Sequence, residues 1–455
     1  MGRRLFHLSL QLVLLLLLGT LLVATGDPYP KRTLARKADP VEIPGKELPA
    51  LLGSALEEIR LIALQNGEWV PIPVQIDERK EVRAGSGEHL IDYVFPCGPS
   101  SEKDGDPTFD SNDLAVFLAK DLGDRGQPAD LPLKGNALEE IEITDPTDGS
   151  RGWAYMFRGG PEAEASGKDY VKYSDSERSV EATGYRVEFS RESPLFFQSI
   201  YIGGAMDACQ RNMQDILGPL QLGIQGAVFF HSLHFEKTGS DFRSRVQAWI
   251  DGPVRVIRRT ENKVYLIWGL YSPSKIQDTT FYPDHFFSPI HLASPMELGR
   301  LITYGEIRAS AGLAPRGAGT LFFSSLNQDG CIVDGVFSEQ ERRIWTAGQA
   351  WYATSGTCGT LFNRLILKRQ LPVEVELYYR DDPISPDPPE GRITRIGNAG
   401  YQLTNLAALG KGDYDLVFHT FISVPYHRGD ENAFLDVVDR PLEWRSRVLE
   451  NPAPN

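Results

Sequence analysis

The chain has 455 residues, of which 24% are charged, and a formal net charge of −14. This acidic balance argues against a nucleic acid or an anionic membrane surface as the partner, because both are bound through basic patches. The length exceeds that of one ordinary hydrophobic core and predicts two or three domains.

The N-terminus has the three parts of a signal peptide. Arg3 and Arg4 supply positive charge, Leu8–Val23 is almost entirely apolar, and Ala24–Gly26 offers small residues for cleavage. We expect a signal peptide over residues 1–26 and a periplasmic or extracellular protein without a transmembrane domain in its mature chain. An uncleaved anchor of the same topology is the alternative.

The signal sequence is compatible with two export routes. Arg3-Arg4-Leu5-Phe6 fits the core of a twin-arginine signal, which carries proteins that have already folded. Two arginines are equally ordinary in a general export signal.

Strand patterns dominate the rest of the chain. Glu58–Leu64 and Trp69–Ile76 flank Asn66-Gly67, and this dipeptide supplies the positive φ angles of a tight hairpin turn. Val373–Arg380 alternates apolar and polar residues, as a half-buried strand does. The segment Ala205–Leu217 has helical spacing and is one of few helix signals.

These patterns predict an all-β fold made of antiparallel sheets with few short helices. An acidic, glycine-rich stretch near residue 160 suggests a domain boundary. We expect an N-terminal β-sandwich over residues 41–160, a larger β domain over residues 168–446 and a tail over residues 447–455.

One loop concentrates oxygen-bearing side chains between two strand patterns. Calcium prefers six to eight oxygen ligands from closely spaced carboxylates, amides and carbonyls. The loop does not match an EF-hand, and an Asx-turn loop without metal has the same composition. The predicted calcium ligands are Asp104, Asp106, Asp110, Asn112 and Asp113.

Aromatic residues are frequent in the second half of the chain. Aromatic rings stack on the C–H faces of sugars while charged groups bind their hydroxyls, although aromatic residues are also ordinary strand and core residues. The candidate glycan-binding residues are Trp249, Trp268, Tyr378, Tyr379 and Arg380.

The sequence gives little support for a histidine metal site or for common catalytic and nucleotide-binding motifs. His231 and His234 are three residues apart, which places them on opposite faces of a strand and argues against a shared metal. The motifs of nucleotide-binding loops, dinucleotide-binding folds and nucleophile-elbow hydrolases are missing from the sequence.

Four cysteines, Cys97, Cys209, Cys331 and Cys358, include no C-x-x-C pair. That spacing disfavours c-type haem and zinc. In an oxidising compartment we favour a disulfide between Cys331 and Cys358, with free buried thiols as the alternative.

Two short motifs and the acidic loop resemble a known framework. The segment from Asn66 through Gln75 to Asp77, the acidic loop after it, and Asp251-Gly-Pro-Val-Arg255 are similar to those of uncharacterised exported bacterial proteins and polysaccharide-lyase-like proteins. The resemblance implies a galactose-mutarotase-like β-supersandwich for the larger domain. Related lyases keep their chemistry in an attached helical toroid, for which this chain has no room.

The leading hypothesis is an exported, non-catalytic carbohydrate- or cell-envelope-binding protein, with calcium as a candidate cofactor and a glycan or an envelope protein as partner. A second hypothesis is a polysaccharide lyase or glycoside-active enzyme, which would use a His or Tyr base beside an arginine. Its candidate residues are His231, His234, Tyr378 and Arg380. A scaffold subunit of an envelope complex is the third.

Overall fold

A computed structural model describes the chain over residues 29–83, 89–102, 105–127, 138–159, 163–203, 214–228, 233–267, 270–294, 297–300, 302–313, 319–348, 350–368, 371–382 and 395–449. Strands make up 55% of it and helical turns 9%. The predicted all-β class is confirmed. In this described part, no helix is both long and apolar enough to cross a membrane.

Nine strands form the N-terminal part of the protein. They are β1 (Pro40–Pro44), β2 (Ile59–Gln65), β3 (Glu68–Pro71), β4 (Gln75–Asp77), β5 (Arg79–Arg83), β6 (His89–Tyr93), β7 (Leu114–Leu118), β8 (Leu138–Thr144) and β9 (Arg151–Arg158).

The remaining strands and one α-helix follow. The first ten are β10 (Val171–Ser174), β11 (Ser179–Ala182), β12 (Tyr185–Phe189), β13 (Phe197–Ile202), β14 (Gln214–Val228), β15 (Leu233–Lys237), β16 (Phe242–Asp251), β17 (Val256–Ile267), β18 (Leu270–Tyr271) and β19 (Lys275–Phe281). The others are β20 (His285–Ser294), β21 (Ile302–Leu313), β22 (Leu321–Ser324), β23 (Asn327–Ile332), β24 (Tyr352–Gly356), β25 (Gly359–Leu367), β26 (Glu374–Arg380), β27 (Ile396–Thr404), β28 (Gly412–Ser423), α1 (Glu431–Asp439) and β29 (Glu443–Val448).

The N-terminal part is a sandwich of a three-stranded sheet, β1-β7-β4, and a five-stranded sheet, β29-β8-β9-β2-β3. Ile43 and Phe117 from the first sheet pack with Leu61, Ile143 and Met156 from the second in one buried cluster. The predicted hairpin is confirmed as β2 and β3, and its turn has the positive φ angles that an Asn-Gly pair favours. Its second arm is shorter than predicted, because β3 ends at Pro71 and Gln75 begins β4 in the other sheet.

The larger part consists of two antiparallel sheets with a shared core. One has the order β10-β11-β12-β13-β14-β21-β27-β26, with β15 added beside β14. The other has the order β16-β17-β19-β20-β28-β25-β24-β22-β23, with β18 added beside β17. Val187 and Leu377 from the nine-stranded sheet lie in one cluster with Phe286 and Leu365 from the ten-stranded sheet.

Two predictions about element type and boundaries need correction. The C-terminal strand β29 pairs with β8 in the N-terminal sandwich, so a boundary at residue 446 would fall inside a strand. The end of the predicted helix Ala205–Leu217 is also extended, since Gln214 begins β14. Residues 205–213 lie outside the described part of the chain.

The predicted disulfide between Cys331 and Cys358 is wrong, because Cys331 is a free, buried thiol. Cys331 faces Phe322 on the next strand, and Phe322 faces Thr354 on the strand after that. Two strand spacings separate Cys331 from Thr354 by about 10 Å, and Cys358 lies in the turn beyond. A disulfide needs Cα atoms within about 7 Å.

A buried ion pair joins the two parts of the protein. Asp77 Oδ2 accepts hydrogen bonds from Arg255 Nε at 2.9 Å and Nη2 at 2.5 Å, and both side chains are almost fully buried. Gln75 Oε1 accepts the backbone N–H of Arg255 at 2.9 Å, while its Nε2 donates to Asp77 at 2.7 Å. A Cβ atom on Gly252 would lie 2.3 Å from the Gln75 carboxamide, so glycine is required there. The two resemblance motifs therefore bind each other.

Glu42 and Tyr282 complete this ion-pair cluster. Arg255 Nη1 donates to the Tyr282 hydroxyl at 2.6 Å and to the Glu42 carboxylate, and Tyr282 donates to Glu42 at 2.7 Å. Burial raises the pKa of Glu42, but the Arg255 charge and these hydrogen bonds outweigh it, and the net pKa is lowered. Glu42 therefore stays ionised.

Candidate functional site

The predicted ligand residues Tyr378 and Arg380 lie on the outer surface of β26. Val375, Leu377 and Tyr379 on the same strand point into the shared core, so the alternation of a strand turns Tyr378 and Arg380 outward. Both side chains are partly exposed.

Strand pairing extends this outer surface across β14, β21, β27 and β26. We call it the polar face, and its side chains carry amides, carboxylates, hydroxyls and guanidinium groups. It comprises Gln221, Gln225, Tyr304, Glu306, Arg308, Ser310, Asn398, Gln402, Glu376, Tyr378 and Arg380.

Glu306 is the centre of the polar face and is 8% exposed. Its carboxylate accepts hydrogen bonds from Gln225 on β14, from Tyr304 on its own strand and, at 3.1 Å, from Gln402 on β27. Burial and the hydrogen bond to Glu306 raise the pKa of the Tyr304 hydroxyl, which remains protonated. One carboxylate thus fixes the side chains of three adjacent strands.

Smaller residues lie further along the polar face, four residues from Glu306 on β21. Gly400 faces Ser310 on one side and Tyr378 on the other, so small residues separate the larger polar side chains. The Ser310 hydroxyl and the Asn398 Oδ1 atom are buried without a hydrogen-bond partner. The guanidinium of Arg308 stands 4.8 Å from the centre of the Tyr378 ring. These groups can hydrogen-bond a polyhydroxylated ligand and stack against it.

Two other predicted ligand residues are part of the core. Tyr379 is 6% exposed, its ring lies 4.0 Å from that of Phe322, and its hydroxyl donates to Glu341 at 2.8 Å. The Trp249 ring packs on Tyr173 at 5.0 Å, against the shared core. Neither ring is presented to a ligand. Trp268 lies outside the described residues.

The acidic loop binds its own backbone where the structure describes it. Asp110 and Asp106 each accept the N–H two residues ahead, at 2.9 and 3.0 Å, in Asx turns. Asp113 accepts the N–H groups of Asp110 at 2.9 Å and Arg79 at 3.0 Å. Asp104 lies outside the described part.

The calcium site stays a prediction. No group of three or more His, Cys, Asp or Glu side chains placed to hold a metal occurs in the described ranges. Among the described atoms of this loop, Asn112 Oδ1 is buried without a hydrogen-bond partner.

The histidine and tyrosine proposed for a lyase are far apart. His234 lies on β15 and Tyr378 on β26, with β14, β21 and β27 between them. Four strand spacings amount to about 19 Å, which is too far for both to act on one sugar. His231 lies outside the described residues.

The sequence-based prediction of site residues did not include Glu306, Arg308 and Ser310, although the pattern around them indicates a polar strand face. From Tyr304 to Ser310 every second residue is polar or aromatic while the intervening ones are small or apolar. That alternation predicts a strand with one polar face.

The comparisons with known proteins assign no family. No family model matches the chain, and no curated protein matches it. Among solved structures, a glycosyl hydrolase family 38 protein from Enterococcus faecalis covers 93% of this chain at 8% identity, with a TM-score of 0.42. An α-mannosidase from Enterococcus faecalis V583 covers 94% at 9% identity, with a TM-score of 0.43.

This chain spans about half of each solved protein, 47% and 46% of their lengths. The similarity is too low to support an argument about activity. The resemblance to polysaccharide-lyase-like proteins stays a prediction.

Proposed function

We propose that this is an exported, non-catalytic carbohydrate-binding protein that holds a glycan on the polar face. The observation that carries the proposal is the Glu306 carboxylate, which holds Gln225 and Gln402 from the two neighbouring strands. Ligand specificity commonly comes from a few convergent polar groups held in fixed positions. Sugar hydroxyls both donate and accept, which matches the amides and carboxylates gathered here.

The polar face also offers a stacking surface. Tyr378 is partly exposed and its ring is flanked by the Arg308 guanidinium. Gly400 lies between Tyr378 and Ser310, and a Cβ atom there would be 2.0 Å from the carbonyl oxygen of Ala309, so the strands approach closely. Among the described residues, the buried Ser310 hydroxyl has no hydrogen-bond partner. A sugar ring seated on Tyr378 would bring its hydroxyls to these groups.

Glycan binding is expected to weaken when single groups of the polar face are removed. Gln402→Ala removes an amide beside Glu306, and Tyr378→Ala removes the ring, so each is expected to weaken binding about tenfold. A glycan array with the mature protein identifies the ligand, and isothermal titration calorimetry then measures its affinity for each variant.

A matched control lies on the same sheet. Glu181 is exposed on β11, away from the polar face, and Glu181→Ala is expected to bind glycan like the wild type. Absence of binding to every glycan on the array would contradict the proposed function. An equal loss of glycan binding in Glu181→Ala would contradict the location of the binding site on the polar face.

An enzymatic alternative rests on one observation. Tyr378 and Arg380 are two residues apart on one strand and face the same side, so a base and a charge-neutralising group are about 7 Å apart. A lyase would release an unsaturated product that absorbs ultraviolet light from polyuronates. We expect no such product. If the product appeared, the protein would be a lyase and not a non-catalytic binding protein.

A further inference from the structure

A cavity of about 810 Å³ lies away from the polar face. Its walls come from both large sheets: the turn between β12 and β13, Leu220 on β14, and the segment Thr238–Arg243 that leads into β16. The rings of Phe196 and Phe242 meet across it at 5.6 Å. We call it the arginine cleft because Arg178, Arg191, Arg243 and Arg395 line it. Its volume is within the usual range of small-molecule pockets.

The four arginines have no carboxylate partner among the residues that the structure describes. Arg243 donates to backbone carbonyl oxygens of Ser240, at 2.9 Å, and Phe242, at 3.2 Å. Among the described residues, the buried Nε atoms of Arg178 and Arg395 have no hydrogen-bond partner. Four guanidinium groups without a described ion-pair partner therefore line one cavity of a chain whose net charge is −14.

Three glutamates also line the arginine cleft against its four arginines. Two of these glutamates share a fifth arginine, because Arg186 pairs with Glu177 at 3.2 Å and with Glu188 at 3.1 Å. Glu192 is exposed in the turn between β12 and β13. The lining therefore carries an excess of positive charge.

A further cation lies beneath the turn that forms one wall. Arg258 is 2% exposed and donates from Nη1 to the carbonyl oxygen of Pro194 at 2.9 Å. Its guanidinium stands 3.9 Å from the centre of the Phe189 ring, which lines the cleft. Among the described residues, its Nε and Nη2 atoms have no hydrogen-bond partner in good geometry. Burial lowers the pKa of Arg258, although the neighbouring Tyr173 opposes this shift.

Ser193 provides a buried, unpartnered group in the lining itself. Ser193 is 5% exposed, and among the described residues its hydroxyl has no hydrogen-bond partner. Leaving a buried hydroxyl unpaired is costly, so such a group points to a ligand that completes it.

We propose that the arginine cleft binds an oxyanion on a small polyhydroxylated molecule: a carboxylate, a sulfate ester or a phosphate ester. Arginine is suited to this chemistry because its planar guanidinium donates two parallel hydrogen bonds to one oxyanion. The Ser193 hydroxyl donates a further hydrogen bond. The cleft shares no residue with the polar face, so this site can fail while the proposed function holds.

The test compares glucose derivatives that differ in one group. Calorimetric titration of the mature protein with glucose 6-phosphate, glucose 6-sulfate, glucuronate and glucose shows which oxyanion is bound. At least one anionic derivative is expected to bind about tenfold or more tightly than glucose, and added salt is expected to weaken it. The order of affinity among the three anionic derivatives identifies the oxyanion.

Arginine variants locate the binding. Arg191→Gln with Arg243→Gln is expected to remove the preference for the anion, because both side chains line the cleft. Arg445 is an exposed arginine on β29 in the N-terminal sandwich, and Arg445→Gln is expected to bind like the wild type. If the double variant does not fold, Arg243→Lys keeps the charge without the paired donors and is expected to bind several-fold more weakly.

Two results would overturn the proposal. One is equal affinity of the wild type for glucose and all three anionic derivatives. The other is an unchanged preference for the anion in the folded arginine variants. Loss of glycan binding at the polar face, with the anion preference intact, would contradict the proposed function alone.

Discussion

Asp77→Ala is expected to destabilise the protein by about 3–5 kcal/mol, the usual cost of removing one partner of a buried ion pair. Arg255 is 1% exposed and would lose the acceptor of two hydrogen bonds. Gln75 would lose the acceptor of its Nε2 group. The free energy of unfolding, measured by urea denaturation followed by tryptophan fluorescence, tests this prediction.

A surface ion pair provides the matched control. Arg300 and Glu297 pair at 2.7 Å, but their side chains are 75% and 59% exposed. Glu297→Ala is expected to change the free energy of unfolding by less than about 1 kcal/mol. A similarly small effect of Asp77→Ala would show that Glu42 and Tyr282 suffice to compensate Arg255.

The partners of this ion pair illustrate what could be predicted from the sequence. Gln75, Asp77 and Arg255 were recognised as framework residues through their motifs. Their mutual contact was not predicted, because it joins positions 178 residues apart in two different parts of the fold. Local patterns contain no information on such a pairing.

The polar face also shows that local sequence patterns do not predict contacts between distant strands. Alternation along Val373–Arg380 correctly predicts a strand with Leu377 and Tyr379 on one face. The same alternation places Tyr379 on the apolar face, but its aromatic ring was taken as a ligand group, and the structure shows it 6% exposed in the core. Strand order then decides which polar residues meet, and β21 and β27 lie far apart in sequence. Glu306 and Gln402 become neighbours only through that order.

Acidification is expected to destabilise the fold through His419. Its ring lies on β28, 5.3 Å from Phe287 and 6.1 Å from Phe421. Burial and the positive charges of His285, Arg364 and Lys368 lower its pKa from 6.5 to about 3. The folded protein therefore keeps this imidazole neutral in a pH range where the unfolded chain protonates it.

The sign of the effect follows from proton binding. Above pH 6.5 neither state binds the proton, and the histidine makes no contribution to the pH dependence. As the pH falls from 6.5 towards 3, the unfolded chain binds more protons and the free energy of unfolding decreases by at most about 1.4 kcal/mol per pH unit from this group.

Replacing His419 by phenylalanine separates this contribution from that of other groups. The ring stays apolar and aromatic among Phe287 and Phe421, so packing is largely kept while titration is lost. The pH dependence of the unfolding free energy between pH 6.5 and 3, from denaturation curves, is expected to become shallower in His419→Phe. His427 is 82% exposed, and His427→Phe serves as the matched histidine control, for which we expect the wild-type slope. An identical slope in wild type and His419→Phe would contradict this role of His419. Other groups would then cause the acid destabilisation, such as Glu42, whose lowered pKa means that its protonation disfavours the folded state.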